Sequence, residues 1–300
     1  MYNIIGKKKI WFTLSGTLMA ASIIILLIWG LRLGIDFTGG SLLEISYQNQ
    51  RPTIAQIEEQ LADFNLQSLK IQPSGHNDFI LRFEDIPEDT HQSILQKLED
   101  IHLEGVEDNT LIENRFESIG PIIGHELKRK AIQAIIVVLI FIVLYIAYAF
   151  RKVSKPVASW KYGLSAIIAL IHDILIVTGV FAVLGQLLGT EVDSLFVTAL
   201  LTILGFSVHD TIVTFDRTRE NLFKNHSQTF DEIVNISVNQ TIIRSLNTSL
   251  TTLFVLLAIY IFGGETIKNF TLALILGVII GTYSSIFVAS PLLSIWNRKK

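Results

Sequence analysis

Cysteine is absent from this 300-residue chain. That excludes disulfides and thiolate metal sites, and it removes the residue that reports redox compartment. Charge is scarce as well: Asp, Glu, Lys and Arg make up 17% of residues, and the formal net charge is −3. There is no long basic stretch and no glycine-rich phosphate loop, so the sequence points neither to nucleic acid nor to a bound nucleotide. No catalytic residue, metal site or cofactor is expected.

Hydrophobic length is plentiful. Half of the residues are hydrophobic and the mean hydropathy is +0.49, above what soluble domains usually reach. Residues 10 to 31, IWFTLSGTLMAASIIILLIWGL, follow Lys7, Lys8 and Lys9. A signal peptide has an apolar core of only about 7–15 residues. This run is longer and has no small-x-small exit before Arg32, so it reads as a retained anchor. Five further runs lie near 131–150, 162–185, 194–215, 245–262 and 268–290. Each is close to the roughly 20 residues a helix needs to cross a bilayer.

Six spans place both termini on one side. Lys7 to Lys9 and Arg298, Lys299 and Lys300 mark that side as the cytoplasm. Arg151, Lys152, Lys155 and Lys161 in one loop agree, as do Arg217, Arg219 and Lys224 in another. The opposite loop, GQLLGTEVDS (185–194), has no Lys or Arg. Lys128, Arg129 and Lys130 break the pattern just before the second span. Long translocated domains escape the rule, and these residues are expected to head an interfacial helix.

The polar segment 32–125 alternates, turns helical, alternates twice, turns helical and alternates again. SLLEISY (41–47) reads as a strand. TIAQIEEQLADF (53–64) puts Ile54, Ile57, Leu61 and Phe64 on one helical face. LQSLKIQ and DFILRFED are strands around the turn Pro73 to Asn77. EDTHQSILQKLEDI carries Ile94, Leu95, Leu98 and Ile101 on a helix, and TLIENRFESI closes as a strand. The expectation is a polytopic α-helical membrane protein of six transmembrane helices with a small α+β ferredoxin-like (βαββαβ) extracytoplasmic domain. The divisions fall at 1–31, 32–125 and 126–300, with a cytoplasmic loop at 216–240. Within that loop Thr229 and Glu232 form a capping pattern for a helix carrying Phe230, Ile233, Val234 and Val238. That helix either lies on the membrane surface or packs beneath the bundle.

The apolar runs contain polar stripes. Ser207, Asp210, Thr211 and Thr214 share one helical face, and Arg244, Asn247, Thr248 and Thr251 repeat the spacing on the next span. Two such stripes do not suit lipid, so they are expected to face each other, another helix or a watery cavity. Asp210 lies roughly 9 Å inside the cytoplasmic end and Asp173 roughly 18 Å along its helix. His172 and Asp173 project about 100° apart and need not act together, and His209 lies off the Asp210 stripe. Ala273, Gly277, Gly281, Ser285 and Ala289 form a small-residue stripe that admits a close neighbouring helix.

A central aspartate costs about 2.5–3.5 kcal/mol on insertion scales, and intramembrane carboxylates point to ion or proton pathways. Burial favours the protonated carboxyl and a nearby arginine favours the charged one. A carboxylate whose arginine partner comes and goes therefore couples a proton to shape. A static Asp–Arg pair holding two helices together satisfies the same spacing, so both readings stand on the residues alone.

GIDFTGG (34–40), IGPIIGHELKRKAI (119–132), GFSVHDTIVTFDRTREN (205–221) and NQTIIRSLNTSLTTL (239–253) resemble, in order and across essentially the whole chain, the SecF family of bacterial membrane subunits. The resemblance implies a proton-motive role in late translocation of unfolded proteins, within the resistance–nodulation–division class. The implied partners are SecD as a heterodimer, the SecYEG translocon, an unfolded preprotein, and the accessory proteins YajC and YidC, in membrane lipid and without nucleic acid. The family's proton-coupling aspartate and arginine match Asp210 and Arg244, which selects proton coupling over static pairing. The family often has Asn where His209 stands. GIDFTGG reads as a junction between span and domain, with Gly39 and Gly40 in a tight turn.

Three rivals compete. An intramembrane aspartyl protease built on Asp173 and Asp210 needs carboxylates sharing a site, whereas the estimated depths differ and no G-x-G-D motif occurs. Half of a small-molecule efflux pump would carry a much larger outer domain. A passive translocon scaffold would have no proton role.

Overall fold

A computed structural model of the chain describes residues 1–101, 109–151, 158–224 and 227–296. Lys152, Lys155 and the terminal Arg298, Lys299 and Lys300 of the charge argument lie outside the described residues. The chain divides into a small unit, Leu33–Lys130, and a helical unit, Met1–Arg32 with Ala131–Lys300.

In the small unit a short helix α2 (Ile35–Thr38) leads into β1 (Gly40–Tyr47), followed by α3 (Ile54–Leu61), β2 (Lys70–Ser74), β3 (Asp78–Phe83), α4 (Glu88–Glu99) and β4 (Leu111–Ile119). The strand order is β2-β3-β1-β4, and every neighbouring pair is antiparallel. Strand periodicity decides the core: Leu43, Ile45 and Tyr47 alternate inward on β1, as do Phe79, Leu81 and Phe83 on β3. Helices α3 and α4 add Ile57, Leu61, Ile94 and Leu98 to the same cluster. Ile54, expected on that face, is exposed. Thr53 caps α3 by accepting from Gln56 N, while the Gln56 side chain reaches back to Thr53 N.

Two details depart from the expected pattern. Pro73 and Ser74 belong to β2 rather than to the turn. An edge strand tolerates proline because the missing N–H faces outward. A bulge opposite β4 pairs Glu44 with Arg115 and Ile45 with Glu113, turning Glu113 to the helix-covered face, where Oε1 lies 3.4 Å from Nε2 of the buried His91.

Gly39 and Gly40 have φ of 75° and 117°, a region that L side chains rarely adopt. A Cβ on Gly39 would lie 2.6 Å from Pro121 Cα, and one on Gly40 would lie 2.7 Å from the Phe83 carbonyl oxygen. The glycine pair is therefore required both by conformation and by space.

The helical unit contains α1 (Lys8–Ile28), the end of α5 (Pro121–Ala149), α6 (Ser159–Leu188), α7 (Ser194–Lys224), α8 (Phe230–Phe262), α9 (Glu265–Ser284), a π turn (Ser285–Ala289) and α10 (Ser290–Ile295). Six helices among the described residues are long and apolar enough to cross a membrane, and the chain is a multi-pass membrane protein. Most of α6 and α9 is buried within the chain, while α1, α5 and α8 are largely exposed.

The expected spans are shorter than the helices. Lys128 to Lys130 lie within the continuous α5, not in a separate interfacial helix. The helix opening at Thr229 is the first part of α8 and runs unbroken into the span, so it does not lie flat on the membrane. Its capping box forms, with Thr229 accepting from Glu232 N. Asn235 and Asn239 on this extension hold the N-terminal segment: Asn235 Oδ1 accepts from Ile4 N and Ile5 N, and Asn239 Oδ1 accepts from Tyr2 N.

Candidate functional site

The buried polar groups of the helical unit meet where α6, α7 and α9 pack. Asp173 on α6 is fully buried. Its Oδ2 accepts from Ser207 Oγ of α7 at 2.6 Å and from Ser284 Oγ of α9 at 2.8 Å. Its Oδ1 lies 2.9 Å from Nδ1 of His172. The two neighbours, expected to project independently, are thus bonded to each other: both are fully enclosed, and Nε2 of His172 has no hydrogen-bond partner.

Ser207, Asp210, Thr211 and Thr214 are all buried, at 1, 4, 2 and 2% exposure, so this stripe of α7 faces inward as a unit. Its members have different partners. Ser207 meets Asp173, Thr211 Oγ1 is 2.8 Å from Ser285 Oγ, and Thr214 Oγ1 is 3.2 Å from Thr241 Oγ1 of α8. Asp210 faces Ser245 of α8, and its Oδ2 has no hydrogen-bond partner. His209 is exposed.

The second stripe is placed otherwise. Arg244, Asn247, Thr248 and Thr251 are exposed on α8. The hydroxyls of Thr248 and Thr251 donate to carbonyls of their own helix. Among the described residues no ion pair joins Asp210 to Arg244. Of the placements expected for the stripes, that of α7 packs against other helices, while the Arg244 stripe is exposed within this chain rather than paired with it. The face of α8 that packs inward is Ser237, Thr241, Ser245 and Ser249, one residue around from the arginine stripe. The helix carries two polar stripes about 100° apart, and spacing alone does not say which one is covered. Ser245 and Ser284 lie off the stripes chosen from spacing, and only the packing shows that they turn inward.

The small-residue stripe of α9 packs on α7. A Cβ on Gly277 would lie 2.1 Å from Ile203 Cγ1, and one on Gly281 would lie 2.9 Å from Ser207 Cβ. Ser285 Oγ donates to the Ser207 carbonyl at 3.2 Å. This stripe is occupied inside the chain, so it does not serve as a face for a partner.

Chemically, the arrangement provides two buried carboxylates: Asp173 of α6, bonded to Ser207, and Asp210 of α7, one turn beyond Ser207. One is saturated with donors and one has an oxygen open. Among the described residues there is no cluster of metal ligands.

Comparison with known proteins gives one consistent result. The family of protein export membrane proteins SecD/SecF, C-terminal, matches residues 100–299, and the SecD/SecF GG motif matches residues 24–50. The protein translocase subunit SecF of Thermobaculum terrenum is 46% identical over 100% of this chain and 95% of its own length. That of Anaerolinea thermophila is 39% identical over 99% and 94%. The crystal structure of SecDF, a translocon-associated membrane protein from Thermus thermophilus, superposes with a TM-score of 0.82 at 31% identity. It covers 99% of this chain, which spans only 39% of that longer one.

Proposed function

This chain belongs to the SecD/SecF family, on its SecF side, and from that premise we propose that it works with SecD to use the proton motive force in late translocation of unfolded proteins across the bacterial cytoplasmic membrane. Both termini face the cytoplasm, and the small unit, read as a ferredoxin-like domain, lies on the opposite side with the emerging polypeptide. SecYEG is the channel served, and YajC and YidC are accessory neighbours.

The observation that carries the reading is the contrast between Asp210 and Arg244. Asp210 is buried with one oxygen unpartnered. Arg244 lies on an outer face that this chain leaves open. An arginine exposed to hydrocarbon costs about 2.5–3.5 kcal/mol on insertion scales, so a partner span covers it, and a SecD helix offering a carboxylate fits that chemistry. Asp210 takes up a proton on its open oxygen without breaking a protein hydrogen bond. Its change of charge alters the field at Arg244 one helix away, and Arg244 is free to divide its pairing between the two subunits. Asp173 is the second proton-carrying group. Each charge moved is worth about 2.3 kcal/mol per 100 mV.

The test is preprotein translocation in proteoliposomes holding this chain, SecD and the translocon. Asp210→Asn and Arg244→Met are expected to abolish the stimulation by a proton gradient while leaving assembly with SecD intact. Full stimulation in assembled variants would mean a passive scaffold instead.

A further inference from the structure

The buried stripe Ala273, Gly277, Gly281, Ser285 and Ala289 leaves α9 at Ser284 and enters a π turn, Ser285–Ala289. Its cause is legible in the chain. Pro291 lacks an N–H, and its ring would collide with the carbonyl of Phe287 if the α-helix ran on unchanged. The wider turn relieves that collision, and Ser290 Oγ donates to the Ser285 carbonyl at 2.9 Å inside it. Turns of this kind inside helices concentrate at functional sites.

Two consecutive buried serines flank the junction of α9 and this turn with separate partners. Ser285 binds α7 through Thr211 and the Ser207 carbonyl. Ser284 donates to Asp173 Oδ2, the oxygen that also accepts from Ser207. The groups around Asp173 are accounted for: His172 on α6, Asp210 on α7 one turn beyond Ser207, and Tyr283 on α9. Tyr283 stacks on His172 at 6.1 Å, and its hydroxyl lies 3.0 Å from Ser15 Oγ of α1.

We propose that Ser284, the last residue of α9 before the π turn, is a positioning residue for Asp173: with Ser207 it sets both hydroxyl donors on Oδ2 and leaves Oδ1 to His172. A proton arriving at Asp173 then meets one preset hydrogen-bond arrangement rather than a rotating carboxyl. The assignment rests on Asp173 being a proton-carrying group.

The experiment compares Ser284→Ala, Ser284→Cys, Ser284→Thr and Asp173→Asn in the full chain assembled with SecD in proteoliposomes. It reads the pH profile of gradient-driven translocation and the carboxyl bands in infrared spectra. Asp173→Asn should lose the stimulation. Ser284→Ala should keep assembly, raise the pH midpoint by about one unit, the size of one lost hydrogen bond to a carboxylate, and move a carboxyl band. Ser284→Thr should restore both. Ser284→Cys keeps nearly the same volume with a weak donor, and carries the test if the alanine variant fails to assemble. A native profile and native bands in the Ser284→Ala or Ser284→Cys variant, with Asp173→Asn inactive, would overturn the role of Ser284 alone. A fully active Asp173→Asn would overturn both that role and the reading of Asp173.

Discussion

The two units bury opposite kinds of side chain. In the small unit the enclosed residues are apolar, led by Leu43, Ile45, Ile57, Leu61, Phe79 and Leu81, and the buried polar residues described there are Ser41 and His91. In the helical unit Ser165, His172, Asp173, Ser207, Asp210, Thr211, Ser249 and Ser284 are all buried. The difference follows from the solvent each unit is built for. Water drives apolar surface inward. Lipid gives helices no such drive, and they associate through close approach of small residues and through hydrogen bonds.

That contrast predicts a crossed pair of sensitivities, the largest effects expected. Leu43→Ala removes a fully buried side chain from the small unit and should cost about 2–5 kcal/mol. It would be read as faster amide exchange confined to residues of that unit. Gly277→Val adds volume where a Cβ already lies 2.1 Å from Ile203 Cγ1. Overpacking of this kind costs about 1–3 kcal/mol or more and should lower the yield of folded protein in the membrane. Gly205→Ala is the control, since its Cβ would meet nothing within 4 Å. Equal yields for Gly277→Val and Gly205→Ala would remove the claim that α9 approaches α7 through glycine.

The small unit also has a polar exception that sharpens the comparison. The Tyr47 hydroxyl donates to the Leu98 carbonyl at 3.0 Å inside the apolar core. Burial pushes its phenol above the usual range. A proton held more tightly in the folded state than in the unfolded one means stability that is complete below about pH 10 and is lost as pH rises beyond it. Tyr47→Phe should cost about 1 kcal/mol at neutral pH and remove that part of the alkaline loss. Amide exchange in the small unit at neutral and alkaline pH measures both. An unchanged alkaline slope in Tyr47→Phe would show that Tyr47 is not its source.

How much of this was legible in the sequence differs between the units for the same physical reason. Alternation on β1 and the 3.6 period on α4 are signals of burial from water, so the strands and helices of the small unit could be read, apart from Pro73 and the bulge that brings Glu113 to His91. The lengths of apolar runs located the six long helices, though not their ends, because α7 and α8 continue as helix through charged sequence. The polar stripe of α7 was legible as one face. Which face of α8 turns inward was not, because Arg244 and Ser245 lie on adjacent stripes that are both polar. The His172–Asp173 bond and the contact of Ser284 with Asp173 depend on packing and on the π turn, and no local spacing encodes them.

The smallest effect expected lies in the hydroxyl pairs that link the spans. Thr211 Oγ1 lies 2.8 Å from Ser285 Oγ, and both are buried. Thr211→Val keeps the shape and deletes that hydroxyl. Ser285 Oγ still has the Ser207 and Gly281 carbonyls within reach as acceptors, so no donor is stranded. The loss is then one hydrogen bond without an orphan, which between membrane helices averages about 0.6 kcal/mol and reaches about 1.7 at most. Tyr47→Phe, by contrast, leaves the Leu98 carbonyl without the hydroxyl it now accepts from. Unfolding in mixed micelles, compared for Thr211→Val and Ser285→Ala, measures the difference. A cost for Thr211→Val well above 2 kcal/mol would mean that these hydroxyls bear more of the helical unit's stability than the glycine contacts do, and would reverse the order of effects argued for the two units.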